Sequence, residues 1–173
     1  MIAVRRLDAD GLAARLPALA DILHACVEDG ASVGFLLPFT AAEAAAFWRE
    51  TVLPPLAARK RRLLVAEAQG RLAGTVQLLH DTPPNQPHRA EVAKLLVHPD
   101  HRRRGLARAL MAAVEAEARA LGRTLLTLDT RTGDAAEPLY AALGFAAAGV
   151  LPGWCLDPRT RQPDATTFMY KPL

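Results

Sequence analysis

The chain of 173 residues has few of the side chains on which several common kinds of site depend. Its two cysteines, Cys26 and Cys155, lie far apart and belong to no C-x-x-C pair. We therefore expect neither a disulfide framework nor a cysteine zinc site, and predict that both side chains are small buried hydrophobes. The five histidines show no metal-site spacing, so no metal cofactor is expected.

Aromatic residues make up only 5% of the chain, and the formal net charge at pH 7 is +3. A nucleic-acid-binding face needs basic residues together with stacking aromatics, so no nucleic-acid partner is expected. No apolar run approaches the roughly 18 residues that cross a bilayer, and residues 1–8 contain no apolar signal segment. We therefore expect no membrane partner and a cytoplasmic location.

The chain does have enough apolar residues for a sizeable core. Hydrophobic residues account for 51% and charged residues for 23%, a composition typical of a globular protein. A single domain over residues 1–173 is expected. The apolar runs and turns predict the order β-αα-βββ-α-β-α-ββ, a mixed α/β sheet flanked by helices. Strands are expected at residues 2–5, 63–68, 72–80, 92–97, 124–128, 145–151 and 166–171.

Proline and capping residues set the expected ends of the first helices. The first helix is predicted over residues 10–29, with a kink or break at Pro17. The second is expected to begin at Thr40, which forms a capping box with Glu43, and to end before Pro54.

Residues 91–121 contain the most informative pattern. A mostly apolar strand is followed by a basic turn and then by a helix whose apolar side chains recur on one face. The first N–H groups of such a helix have no partner within it, and together with the helix dipole they create a site for a phosphate. Gly105 allows the backbone to approach a ligand closely. The alternative is an ordinary strand–turn–helix with a solvated basic turn.

Two segments carry a resemblance to a known family. Arg102-x-x-Gly105-x-Ala107, directly after a strand, resembles the acyl-CoA signature of the GNAT superfamily of N-acetyltransferases. Residues 137–145, E-P-L-Y-A-A-L-G-F, are similar to the L-Y-x-x-x-G-F segment of that family. The resemblance implies the GNAT fold, with a mixed sheet of about seven strands splayed at the acetyl-CoA site.

One branch of the family is more similar. The strings R-A-E-V-A-K-L (residues 89–95) and L-D-T-R-T-G-D-A-A-E-P-L-Y (residues 128–140) resemble the tabtoxin-resistance acetyltransferases. This resemblance implies direct acetyl transfer from acetyl-CoA to a small amine that is amino-acid-like or antibiotic- or toxin-like. The family often forms homodimers, so a homodimer is expected. A non-catalytic acyl-CoA sensor and a protein N-terminal or lysine acetyltransferase are the alternatives.

The resemblance also implies a set of cofactor contacts. The basic turn and helix start would hold the CoA pyrophosphate, and the central strand would pair with the pantetheine arm like an added strand. Backbone N–H groups near the end of that strand would stabilise the oxyanion. Many family members have asparagine at the position of Gly133, and Asp134 is expected to replace its contact. The expected cofactor-binding residues are Leu95, Leu96, Val97, Arg102, Arg103, Arg104, Gly105, Leu106, Ala107, Arg108 and Asp134.

Three residues are candidates for proton transfer. An amine is protonated near neutral pH and must lose a proton before it attacks a thioester. Glu91 is the leading candidate base, since a carboxylate on an apolar strand is expected to be desolvated. Its spacing from Arg102 is similar to that of the catalytic glutamate in some family members. The alternative is an exposed Glu91 paired with Arg89 or Lys94.

Asp129 is the second candidate base, or a group that binds the ammonium of the substrate. Its alternative is a loop-capping aspartate. The resemblance makes Tyr140 the acid that protonates the leaving thiolate, with a half-buried structural tyrosine as the alternative.

The acceptor side is less closely defined by the sequence. The apolar loop of residues 30–40 either lines a substrate pocket or lies under the core. Its residues 34–39, Asp129 and the closing hairpin are expected to select the acceptor.

Overall fold

The computed structural model describes residues 2–173, and strands and helices follow each other there in the predicted order. The strands are β1 (Ile2–Leu7), β2 (Arg61–Ala68), β3 (Arg71–Leu79), β4 (Arg89–Val97), β5 (Leu125–Arg131), β6 (Ala146–Leu156) and β7 (Pro163–Pro172). The helices are α1 (Ala9–Ala14), α2 (Leu16–Glu28), α3 (Ala41–Ala46), α4 (Leu53–Ala57), α5 (Leu106–Ala120) and α6 (Ala136–Ala142), with a π-helical segment at Phe47–Val52 and a 3₁₀ turn at Pro99–His101.

All seven strands form one sheet in the order β1-β2-β3-β4-β5-β7-β6. Every neighbouring pair is antiparallel except β4 and β5, which are parallel and are connected through α5. The prediction of a mixed α/β sheet of about seven strands flanked by helices is thereby confirmed. Within residues 2–173, no helix has both the length and the apolar character needed to cross a membrane.

Helices cover both faces of the sheet and bury a separate core on each. On one face, α5 packs its apolar side, including Leu110, Met111 and Val114, against β2, β3, β4 and β5. On the other face, α1 to α4 enclose Trp48, which has no exposed surface and donates from Nε1 to the carbonyl oxygen of Leu19 at 2.8 Å. That indole therefore joins the π-helical segment to α2.

The two proline predictions have different outcomes. The break at Pro17 is confirmed, because α1 ends at Ala14 and Pro17 lies in the first turn of α2, where its missing N–H costs no hydrogen bond. The prediction that Pro54 and Pro55 end the helical half is wrong. Both lie in the first turn of α4, which continues to Ala57 and buries Leu56.

The strands near the carboxyl end are longer than predicted. The closing hairpin of β6 and β7 is present as expected. Strand β5 continues to Arg131 because Asp129, Thr130 and Arg131 pair with residues 166–168 of β7. Asp129 therefore lies on a strand, not in the loop where the sequence pattern put it.

Strand β4 contains a bulge that reverses its two faces. The register with β3 shifts so that Lys94 and Leu95 lie opposite Val76, and the φ angle of Lys94 is 52°. Before the bulge, Val92 packs on the α5 side, and after it Leu95 does so as well. The bulge thus turns the side chain of Lys94 towards the face covered by α1 to α4.

Strands β4 and β5 separate after a short paired stretch. Their parallel register covers only residues 89–91 of β4 against residues 125–127 of β5. Beyond Glu91 the edge of β4 that faces β5 has no strand partner, so the sheet is open there. A sheet that splays between two neighbouring strands, as the resemblance implied, is therefore present at β4 and β5.

The two tryptophans provide a matched test of how the helical half is held. We expect Trp48→Ala to lower the free energy of unfolding by about 3–5 kcal/mol, because it removes a fully buried indole and its hydrogen bond. Trp154 is 55% exposed, so Trp154→Ala should cost about 1 kcal/mol or less. Urea unfolding followed by circular dichroism measures both losses, and losses of similar size would contradict this account of the core.

Candidate active site

A cleft of about 680 Å³ opens where β4 and β5 separate. The free half of β4 forms one wall, and the end of β5 with the start of α6 forms the other. The turn before α5 closes one end, and residues 31–34, after α2, cover the side of the helical half. The cleft therefore depends on the short register of a single strand pair.

The cleft brings together almost all of the predicted site residues. Glu91, Leu95, Leu96 and Val97 line it from β4, and Asp129 lines it from β5. Its other lining residues include Tyr140 and Asp134 beside α6 and, from the basic turn and helix start, Arg102, Arg103, Gly105, Leu106, Ala107 and Arg108. Arg104 is the exception, because its exposed side chain does not line the cleft.

The turn before α5 presents a row of free backbone donors. Arg103 and Gly105 have φ angles of 59° and 85°, which curl the chain into the helix start. Within residues 2–173, none of the N–H groups of residues 103–108 donates to a protein acceptor. Donors of this kind at the positive end of a 15-residue helix suit a phosphate or pyrophosphate.

Arg102 has a different role from the other arginines of the turn. Its guanidinium pairs with Asp29 at the end of α2, and its Nε donates to the carbonyl oxygen of Val97 at 3.2 Å. The side chain therefore ties the turn to α2 and to the end of β4. It thereby supports the shape of the donor row, and it also lines the cleft.

The free edge of β4 suits an extended ligand. Residues 92–97 have no strand partner on the β5 side, so a chain lying along the cleft has backbone groups with which to pair. The carbonyl oxygen of Val97 is already occupied, since it accepts from Arg102 and from the thiol of Cys26, whose Sγ is 3.4 Å away. Cys26 is buried as predicted, whereas Cys155 is only half-buried and lines the cleft.

Tyr140 is buried at the inner wall of the cleft. Its ring is 7% exposed and makes an edge-to-face contact with Phe145, with the centroids 5.9 Å apart. Burial raises the pKa of Tyr140 well above its ordinary value, and the negative charges of Asp129 and Asp134 raise it further. Among residues 2–173 its hydroxyl has no hydrogen-bond partner. It is thus a protonated hydroxyl that is available to a group in the cleft.

Both candidate bases are open to solvent, although Glu91 was expected to be desolvated. The side chain of Glu91 is 42% exposed, and its Oε2 is 3.9 Å from Nη1 of Arg89. This arrangement corresponds to the alternative interpretation of Glu91. Asp129 is exposed at the mouth of the cleft. Both carboxylates still face the cleft from opposite sides of the split.

Asp134 is held in place by the protein itself. Its carboxylate pairs with Arg131 at 3.2 Å and accepts from the N–H of Ala135 at 2.7 Å. The N–H of Gly133 donates to Glu137, at 2.6 Å from its Oε2. Asp134 lines the cleft, and it shares Arg131 with Asp157 and Asp164, which lie 3.1 and 3.7 Å from the same guanidinium.

The sequence pattern missed several residues of the cleft. Lys94 lines the cleft, whereas the sequence pattern gives it only as a possible ion-pair partner of Glu91. A lysine within an apolar strand, in a chain with only three lysines, is the feature that identifies it. The loop of residues 30–40 has one part at the cleft and another in the core. Its residues 31–34 line the cleft, whereas Phe39 is buried in the core.

Comparisons with known proteins agree on one family. The model of the family described as "Acetyltransferase (GNAT) family" matches residues 19–145. An uncharacterized N-acetyltransferase in the hisH–hisA intergenic region of Azospirillum brasilense is 34% identical over 132 residues, which cover 75% of this chain and 76% of that protein.

Solved structures give the same result for the fold. The ribosomal-protein-alanine N-acetyltransferase of Brucella melitensis has a TM-score of 0.79 at 25% identity, with 99% of each chain covered. The protein yncA of Salmonella typhimurium, solved with its cofactor acetyl-CoA, has a TM-score of 0.78 at 21% identity, with 100% of this chain and 94% of that chain covered. At the lower identity the likeness concerns the fold alone.

Proposed function

The chain belongs to the GNAT family of acetyltransferases, and we propose that it transfers the acetyl group of acetyl-CoA to the amine of a small molecule. One observation carries this proposal. The free edge of β4, the donor row of residues 103–108 and the buried hydroxyl of Tyr140 line one cleft. An extended cofactor with a pyrophosphate at one end and a reactive thioester at the other needs this combination of groups.

The residues that line the cleft have the kinds of chemical group that acetyl-CoA would need. The N–H groups of residues 103–108 would bind the pyrophosphate, and Arg103 and Arg108 would add positive charge beside it. Residues 95–97 would pair with the amides of the pantetheine arm. Asp134 lies at the cleft but pairs with Arg131, so it would contact the cofactor only through its remaining acceptor capacity.

The transfer needs one base and one acid. A carboxylate, Glu91 or Asp129, would take a proton from the ammonium group of the acceptor, directly or through a water molecule. The free amine would then attack the thioester carbonyl carbon, forming the C–N bond as the C–S bond breaks. Tyr140, which its raised pKa keeps protonated at neutral pH, would donate its proton to the thiolate. The second proton, which the nitrogen loses as it becomes an amide, would return to the tyrosinate through water.

We propose an amino-acid-like or antibiotic- or toxin-like acceptor, on the basis of the resemblance to the tabtoxin-resistance acetyltransferases. Acetylation of a protein N-terminus is a second candidate, because the similar protein of Brucella melitensis is a ribosomal-protein-alanine N-acetyltransferase. The proposed homodimer is supported by the outer strand β6, where Val150, Leu151 and Trp154 are 46–55% exposed.

Release of CoA thiol with a panel of acceptors tests the function. The panel contains L-amino acids, amino-acid-like toxins, aminoglycosides and peptides with a free N-terminal alanine. We expect steady thiol release with at least one small amine and much less with the peptides. Faster release with the peptides would favour the protein acetyltransferase. Tight acetyl-CoA binding without thiol release from any amine would favour a sensor.

The role of Tyr140 has a matched control in the other tyrosine of the chain. Tyr140→Phe should lower kcat by about a hundredfold or more, with little change in the acetyl-CoA dissociation constant, because it removes only the proton donor. Tyr170→Phe, at a 39% exposed position, should leave both values near those of the wild type. Unchanged turnover in Tyr140→Phe would exclude the hydroxyl from the mechanism.

The two carboxylates can be separated by their pH profiles. A base must be ionised to work, so the activity of the wild type should fall on the acidic side. If Glu91 is the base, Glu91→Gln should remove that acidic limb and lower kcat, whereas Asp129→Asn should mainly raise the KM of the amine. The opposite pattern would assign the base to Asp129.

A further inference from the structure

Lys94 occupies a conformation that lysine rarely adopts. Its φ angle of 52° lies in the left-handed region, where a side chain costs energy unless the surroundings hold it. The bulge places Lys94 on the α1–α4 face of the sheet, the face that Glu91 also shares. The hydroxyl of Thr75 donates to its carbonyl oxygen at 3.2 Å and fixes the bulge. The strained backbone thus places the ammonium group of Lys94 in the cleft.

That ammonium group forms no direct ion pair within the described residues 2–173. Lys60 pairs with Asp81 at 3.0 Å, and Lys171 pairs with Glu115 at 2.6 Å. Within residues 2–173, Lys94 alone of the three lysines forms no salt bridge, and its Nζ donates no hydrogen bond. A half-buried charge without a directly hydrogen-bonded partner is costly, so an anion bound beside Lys94 would be stabilised there.

The surroundings of Nζ leave room for a small ligand. It lies 5.9 Å from the centre of the Phe47 ring, and a Cβ added at Gly34 would lie 3.9 Å from it. Gly34, whose φ angle of 93° favours glycine, thus lies beside the ammonium in the loop that covers the cleft. Phe47 offers only the face of its ring, which attracts a cation weakly compared with a carboxylate.

The charged side chains near Lys94 come from β2, β4 and β5. Burial lowers the pKa of Lys94 from its ordinary value, the carboxylates of Asp129 on β5 and Glu91 on β4 raise it, and Arg61 on β2 lowers it. Arg61 itself donates to Oε1 of Gln77 at 2.8 Å, so it already has a partner. The cleft thus has two carboxylates and one unpaired cation at its acceptor side.

We propose that Lys94 binds a carboxylate of the acceptor, so that the acceptor is a small molecule with both an amine and a carboxylate. This proposal rests on the proposed acetyltransferase function and adds the residue that selects the substrate. Glu91 and Asp129 meet the ammonium end of such a zwitterion, and Lys94 meets its carboxylate end. A buried pair between a lysine and a carboxylate is a strong discriminator, since a neutral analogue leaves the lysine unpaired.

Paired acceptors test this assignment. The kinetics of the standard L-amino acids and of their α-carboxamides are measured with the wild type, with Lys94→Met and with the control Lys60→Met. The wild type and Lys60→Met should prefer the carboxylate form. Lys94→Met should lose at least about tenfold of that preference through KM, with the KM of acetyl-CoA unchanged. The ratio of carboxylate to carboxamide activity is compared between the three proteins. The different basicities of the amines in the two acceptors therefore cancel.

Two further readouts do not depend on turnover. Calorimetry with N-acetyl amino acids and their carboxamides, in the presence of CoA, should show the same loss of preference in Lys94→Met. Thermal unfolding of the free protein should show Lys94→Met to be at least as stable as the wild type, because an unpaired charge has been removed.

The possible outcomes separate the two proposals. If the wild type releases no thiol with any amine, the acetyltransferase function fails, and the calorimetry still decides the role of Lys94. An unchanged preference in Lys94→Met, or none in the wild type, would overturn the assignment. A rise in the KM of acetyl-CoA instead would assign Lys94 to the cofactor and overturn it as well.

Discussion

The separation of β4 from β5 is the constraint on which the other features of the site depend. A parallel pair that ends at Glu91 leaves the backbone groups of the next residues without a strand partner. Such groups are costly unless water or a ligand pairs with them. The turn before α5 has the same property, since the N–H groups of residues 103–108 have no acceptor in the part of the chain that the structure describes. Both sets of unpaired backbone groups face one cleft, so a single extended ligand that bears phosphates can form hydrogen bonds with both.

The supports of this arrangement are themselves polar and distant in sequence. Arg102 joins the turn to Asp29 at the end of α2 and to the carbonyl oxygen of Val97. The thiol of Cys26 adds a second donor to that carbonyl. The helical half of the chain thereby fixes the end of β4, where the thioester would lie. Arg102, the arginine of the cofactor signature, thus joins the turn to α2 and β4. The backbone N–H groups beside it are the free hydrogen-bond donors.

The fold could be predicted from the sequence where local patterns decide it. The apolar face of α5, the break at Pro17 and the succession of strands and helices along the chain all follow from residues close together in the chain. Apart from the helix that begins around Pro54 and Pro55, the errors arise where the pairing of strands distant in sequence decides the structure. Asp129 lies on a strand because β7 pairs with it, and no local pattern contains that information. The exposure of Glu91 depends on where β5 leaves β4, and the bulge at Lys94 depends on the register with β3.

This dependence on register also explains why the acceptor side is harder to predict than the cofactor side. The cofactor side is built from consecutive residues, so a short motif describes it. The acceptor side joins side chains from β4, β5 and the loop after α2, whose shared face exists only once the bulge reverses β4. Without the bulge, Lys94 would point into the apolar core beneath α5, where a charge is not tolerated. The bulge therefore both strains the backbone at Lys94 and places its ammonium group in the cleft. If Lys94 binds the acceptor, the shape of β4 determines which acceptor is chosen.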